Sequence, residues 1–310
     1  MSQETLHFQT PIIQDVSLSH RLKKNIFFKM DCWQPVGSFK IRGIGYMCRR
    51  LVGEGIKHLV SSSGGNAGYA VAYAGSALKV RVSVVVPQST PERVRKKMEE
   101  EGADVIIHGK VWDEAHEYAL GLAEEEATAY VPPFDHPDLW TGHATMVDEI
   151  VQQIEKPDVI VLAVGGGGLL CGVIEGLHQN HGEDVPIIAV ETEGAASLHA
   201  SLEQGKLVTL DRIDSVASSL GAKQVTQQAL ELADVHEIQS LVVSDQEAVE
   251  SCFQFADSHR VLVEPACGAA LAAVYLRPEV LGEAKNVLVV VCGGLGVTLE
   301  QLQQWKADLK

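Results

Sequence analysis

The chain has 310 residues, of which 46% are hydrophobic and 21% charged, and its 25 basic and 41 acidic residues leave a formal net charge of −16. That length suffices for one large or two ordinary domains with a substantial core, and the composition is that of an ordered globular protein. The acidic balance excludes a nucleic-acid surface, which needs concentrated positive charge, but not a small anion held locally by backbone N–H groups.

The opening run, MSQETLHFQTPII, has neither a basic start nor a long apolar stretch, so no signal peptide is expected. No run is long enough to span a bilayer. The six cysteines, Cys32, Cys48, Cys171, Cys252, Cys267 and Cys292, form no C-x-x-C pair and no zinc-ligand spacing. Most of them read as small buried residues in a reducing cytoplasm. His178 and His181 lie in a polar turn and read as solvated rather than as metal ligands.

The first chemical candidate is Lys40, in the run Gly37-Ser38-Phe39-Lys40-Ile41-Arg42-Gly43. Apolar neighbours disfavour an ammonium and free the amine, which a Schiff-base lysine requires. The same pattern also describes an ordinary snorkelling lysine. Further along, 58–60 reads as a strand leading into Ser61-Ser62-Ser63-Gly64-Gly65-Asn66-Ala67-Gly68 and an Ala-rich helix to Ala77. Residues 80–86 read as a buried strand. Thr90 as N-cap and Pro91 as first helical residue predict a helix to about Glu101. A strand over 103–108 and a helix over 112–126 follow. Such alternation implies parallel βαβ units covered on both faces.

The proline-bearing stretch 131–137 reads as a crossing between two lobes, followed by a helix near 142–154. Strands are expected over 158–164, 185–190 and 286–291. The first ends in Gly165-Gly166-Gly167-Gly168 and a helix, and the last in Cys292-Gly293-Gly294. In the final helix Leu302, Trp305 and Leu309 fall on one side, a packing pattern.

Ligands of open α/β sheets sit beyond the carboxyl ends of strands. Three glycine-rich turns fall at such ends, over 61–68, 165–168 and 293–296. Each is either a tight turn or a place where N–H groups converge on an anion. The G-x-G-x-x-G fingerprint fails, since Leu170 and Cys171 stand where the last glycine would be. The P-loop and the G-x-S-x-G elbow are also missing. A phosphorylated cofactor with its own reactive group fits better, and that returns attention to Lys40.

Taken in order, G-S-F-K-I-R-G, S-S-S-G-G-N-A-G and G-G-G-G-L resemble the fold-type II pyridoxal-phosphate enzymes. Within them the chain is similar to the catabolic serine/threonine dehydratases, most of all the animal-type serine dehydratase and serine dehydratase-like proteins. The likeness runs nearly end to end, through 131–137, 140–144, Glu191-Thr192, 215–217 and 263–270.

The resemblance implies an α/β fold of the tryptophan synthase β type, with two open, mostly parallel sheet lobes and the cofactor in the cleft. Residues 1–34 and 139–310 would form the large lobe and 35–138 the small one. Lys40 would carry pyridoxal 5'-phosphate as a Schiff base, and Phe39 would pack against its ring. Asn66 would hydrogen-bond the ring oxygen. Gly165, Gly166, Gly167, Gly168 and Leu169 would bind the phosphate, and Cys292 would face the ring nitrogen. Ser62, Ser63, Gly64 and Ala67 would meet the substrate carboxylate. A monovalent cation, potassium in particular, would be held at Glu191, Ala195, Ser197, Leu220 and Ala222.

The implied reaction is dehydration and deamination of L-serine or L-threonine by a cytoplasmic homodimer with no membrane or nucleic-acid partner. Another fold-type II reaction on an amino acid, or a weakly active regulatory protein that binds the cofactor, are the alternatives. Gly64 departs from the family pattern. It lacks the side chain that racemases use as a base, and it would leave more room beside the substrate. Leu295-Gly296 is the second departure, where relatives carry polar residues. The chain ends soon after the match, which favours a catabolic over a feedback-inhibited enzyme.

Overall fold

The computed structural model describes residues 5–309; residues 1–4 and 310, the two ends of the expected large lobe, lie outside the described residues. In chain order the first elements are β1 (Ile12–Gln14), α1 (Val16–Leu22), β2 (Asn25–Lys29), α2 (Lys40–Gly53), β3 (His58–Ser61), α3 (Asn66–Leu78), β4 (Arg81–Val86), α4 (Glu92–Glu100), β5 (Asp104–Ile107), α5 (Trp112–Leu122) and β6 (Thr128–Tyr130). Then come α6 (Pro137–Gln153), β7 (Val159–Ala163), α7 (Gly168–Gln179), β8 (Ile187–Thr192), α8 (Ser197–Gln204), α9 (Gln227–Leu232), β9 (Ile238–Val243), α10 (Asp245–His259), α11 (Pro265–Tyr275), β10 (Asn286–Val290) and α12 (Leu299–Asp308).

The strands form two sheets, one of order β1-β2-β10-β7-β8-β9 and one of order β5-β4-β3-β6. Every pairing is parallel except that of β1 with β2. The centre of the larger sheet is written in residues that suit burial on both faces. All of β7 (VIVLA) and all of β8 (IIAVET) are buried. Small residues let the helices lie close: every residue of α11 from Pro265 to Val274 is buried, and α11 packs on α10 and on the sheet. The Ala-rich face of α3 does the same for the smaller sheet, whose core joins Leu59, Val71, Val82, Val84 and Met98.

Several boundaries differ from the sequence reading. Pro91 is the N-cap of α4 rather than its first residue, because the Thr90 N–H closes a turn onto Pro87 O at 3.0 Å. Helix α6 begins at Pro137 rather than near Gly142. His136 caps it by accepting from Asp138 N, and Pro137 takes the first helical position, where a missing N–H is harmless. The 131–137 stretch is thus partly a helix start. The strand expected over 185–190 runs from Ile187 to Thr192, after Pro186.

Candidate active site

The two sheets present their carboxyl ends to one cleft. Lys40 enters it as the first residue of α2. The turn before it is stitched to the end of β10. Phe39 N–H donates to Cys292 O at 3.0 Å, Gly294 N–H donates to Gly37 O at 2.8 Å, and Ser38 bridges Gly293. Gly37 has φ +70° and Gly293 +83°, values that glycine adopts without a Cβ penalty. Lys40 Nζ donates to Pro133 O at 2.6 Å. Burial lowers its pKa to about 8, with Cys292 and Glu264 acting in the opposite direction.

Across the cleft lies the 165–168 turn. Gly167 has φ +92°, and α7 starts at Gly168. The first turn of a helix leaves N–H groups without helical acceptors, so this end is suited to an anion. Phe134 is packed close against Gly166 and Gly168, so a Cβ at Gly168 would meet Phe134 O at 2.6 Å. Leu169 completes that wall.

Asn66, the first residue of α3, is fixed at both ends of its amide. Its Nδ2 donates to Glu264 Oε1 at 2.8 Å, and its Oδ1 accepts from Leu295 N at 2.9 Å. Cys292 also lines the cleft. A hydrogen bond with Cys267, then burial, pushes its thiol well above the usual range, so the group is neutral. The ring of Phe39 rests 4.9 Å from that of His143, which burial holds well below the usual histidine range and therefore neutral.

From the 61–68 turn the cleft wall takes Asn66. Ser62 Oγ lies 2.7 Å from Tyr130 OH and 3.3 Å from His116 Nδ1. Ser63 Oγ accepts from Gly65 N at 3.4 Å. Ala67 belongs to the core of the smaller sheet. The space expected beside Gly64 is filled: a Cβ there would lie 2.5 Å from Thr90 Oγ1.

Of Glu191, Ala195, Ser197, Leu220 and Ala222, Leu220 lies against the glycine turn. A Cβ on Gly165 would lie 3.0 Å from Leu220 Cα. Glu191 is buried at the end of β8 and accepts from Leu198 N at 2.9 Å and His199 N at 2.7 Å. Ala195 N–H turns back on Thr192 O, and Ala222 N–H on Leu220 O. Among the described residues, no group of three or more His, Cys, Asp or Glu side chains could hold a metal ion. A potassium ion takes mainly neutral oxygen ligands, and the buried Ser197 Oγ has no hydrogen-bond partner. Burial raises Glu191 to about 7.

Two features escape sequence reading. Glu264 is buried in the cleft, although in the sequence it is one carboxylate before a proline. One residue past Ile41, the fully buried Arg42 binds Asp31 at 2.6 Å and Glu149 at 2.7 Å, and Lys29 binds Glu149 at 2.6 Å. This cluster ties β2 and α6 to α2 just behind Lys40. A charge within an apolar helix face was the signal available for it.

The family model for "Pyridoxal-phosphate dependent enzyme" matches residues 4–293. The chain belongs to this family. Its relatives include the human L-serine dehydratase/L-threonine deaminase, 48% identical over 319 residues that cover 100% of this chain and 97% of that one. The human protein called serine dehydratase-like is 48% identical over 316 residues, covering 99% and 96%. Among solved structures, a fungal L-serine ammonia-lyase from Rhizomucor miehei superposes with a TM-score of 0.94 at 36% identity, covering 99% of this chain and 100% of that one. The residues present fit the family's cofactor. A half-buried lysine with a lowered pKa, a glycine turn at a helix N-terminus and a neutral thiol share one cleft.

Proposed function

We propose that this member of the pyridoxal-phosphate dependent family is an L-serine/L-threonine dehydratase, releasing pyruvate or 2-oxobutanoate together with ammonia. One observation carries the reading. A half-buried lysine whose pKa is lowered to about 8 shares a cleft with a glycine turn at a helix N-terminus, in a chain 48% identical over its full length to a protein called L-serine dehydratase/L-threonine deaminase.

Pyridoxal phosphate, when bound, supplies an aldehyde carbon that amines join and a conjugated ring that draws electrons from the substrate Cα. Lys40 would carry it and then serve as general base, taking and returning a proton at Nζ. Gly165, Gly166, Gly167, Gly168 and Leu169 would hold the phosphate through backbone N–H groups. Phe39 would cover one side of the ring, and Asn66 would donate to its oxygen. Cys292 would bring a neutral thiol to the ring nitrogen, which, unlike a carboxylate, would not hold that nitrogen protonated. Ser62, Ser63, Gly64 and Ala67 would lie along the substrate carboxylate.

Glu191, Ser197 and the backbone carbonyls of Ala195, Leu220 and Ala222 would hold potassium beside the glycine turn. The chain would work as a cytoplasmic homodimer, with 35–138 as a small lobe set into a large one.

The test is keto acid and ammonia release by the purified protein with potassium present. Equal amounts of both from L-serine and L-threonine support the proposal. No keto acid from either substrate, while the bound cofactor absorbs normally, would move the assignment to another amino acid.

A further inference from the structure

Glu264 is the N-cap residue of α11, yet its side chain makes no cap bond to that helix. Instead the carboxylate turns into the cleft that Lys40 and Asn66 line. Its Oε1 accepts from Asn66 Nδ2 at 2.8 Å and its Oε2 from Gly296 N at 3.0 Å. The following loop is shaped around it. A Cβ at Gly296 would lie 2.7 Å from Oε2, and the carboxylate also occupies the side-chain space of Gly294.

The consequence falls on Asn66. A side-chain amide has one acceptor oxygen and two N–H donors. The Asn66 oxygen is taken by Leu295 N at 2.9 Å, and one N–H by Glu264. Flipping the amide would set donor against donor and acceptor against acceptor, so its orientation is fixed. Its second N–H donates to Ser219 Oγ at 3.4 Å, a long and therefore weak bond. A ligand oxygen in the cleft, which Ser219 also lines, would compete for that hydrogen.

We infer that Glu264 is a positioning residue. It fixes the Asn66 amide so that its second N–H can turn to the oxygen of the bound cofactor ring, and it sets a carboxylate in the cleft that Lys40 lines. The inference rests on the reading of this cleft as the pyridoxal-phosphate site. The titratable groups that face Glu264 are Lys40, Cys252 and Cys292. Both thiols are pushed well above their usual range, so Lys40 is the group whose charge Glu264 meets.

The three replacements separate reach from charge. Gln keeps the shape but turns one oxygen into a donor, so it loses one of the two bonds as well as the charge. Asp keeps the charge but falls short of Asn66. Ala removes both.

The experiment measures the dissociation constant of pyridoxal phosphate and the pH midpoint of the bound cofactor's visible absorbance in wild type, E264Q, E264D and E264A, with folding checked by circular dichroism. E264Q is expected to weaken binding about tenfold and to lower the midpoint, since a lost carboxylate no longer favours a cation. E264D is expected to weaken binding while keeping the midpoint of wild type. An E264Q protein with wild-type affinity and midpoint overturns the inference. Should E264Q not fold, wild-type affinity in E264D overturns it equally. If wild type itself takes up no cofactor, the reading of the cleft falls, and the inference with it.

Discussion

Thr90 fills the space that a side chain at Gly64 would need: its Oγ1 lies 2.5 Å and its Cγ2 2.9 Å from the position of a Cβ there. Thr90 is buried and precedes α4. Its side chain therefore holds the 61–68 turn from outside, and the glycine does not open a void for substrate. A methyl forced into filled space costs about 1–3 kcal/mol. Gly64→Ala is thus expected to lower kcat/KM for L-serine by about tenfold or more. Adding Thr90→Ala is expected to recover most of the loss. A fully active Gly64→Ala single variant contradicts this coupling.

The pH dependence of cofactor capture follows from Lys40. Burial lowers its pKa from 10.5 to about 8. Capture of pyridoxal phosphate by the cofactor-free protein is expected to speed up with pH and level off above about 8, whereas a surface lysine would keep accelerating toward roughly pH 10. Stability shows the same shift. Between about 8 and 10.5 the unfolded chain keeps a proton that the folded chain has released, so the Lys40 contribution to stability rises with pH in that window. Stopped-flow absorbance across this range measures the first effect, and a rate that does not level off contradicts it.

The ion cluster behind Lys40 is expected to dominate local stability. Asp31 and Arg42 are fully buried, and removing one partner of such a pair costs about 3–5 kcal/mol because a charge is left uncompensated. Urea unfolding of Asp31→Asn should show a loss of that order. Arg81→Ala, in an exposed pair with Asp104 whose side chains are 61% and 60% accessible, should cost at most about 1 kcal/mol. Equal effects from the two variants would contradict the assignment of burial as the cause.

A potassium effect is expected to depend on pH through Glu191. Burial raises its pKa from 4.5 to about 7. The folded state thus holds this proton more tightly than the unfolded one, and the Glu191 contribution to stability falls as pH rises between those values. A cation beside the carboxylate favours its ionised form. Stabilisation by potassium chloride over sodium chloride should therefore be larger at about pH 8 than at about pH 6. It should vanish in Glu191→Gln. A thermal-unfolding series that finds the same potassium effect in this variant contradicts the site.

Much of the fold was legible because its central strands are buried on both faces and therefore written as unbroken apolar runs, such as VIVLA in β7 and NVLVV in β10. Strand β2 was not. Its sequence NIFFK ends in a lysine that is buried because Glu149 meets it, and that contact is made 120 residues away. Helix α6 begins inside a proline-rich run that looks like a loop in the sequence, because its cap, His136 accepting from Asp138 N, is a feature of the folded chain. Lys40 and the 165–168 glycines, which stand in local motifs, line one cleft. Glu264 and Thr90 act through partners distant in sequence, Asn66 and Gly64, and a single chain carries no local mark of such pairings.

The central claim is that Lys40 carries the cofactor. Borohydride reduction of the cofactor-loaded protein, followed by peptide mass mapping, tests it most directly. The expected result is one reduced pyridoxal-phosphate adduct on the peptide containing Lys40 and none in Lys40→Ala. An adduct on a different lysine of the wild-type protein, or the same adduct pattern in the variant, would contradict it.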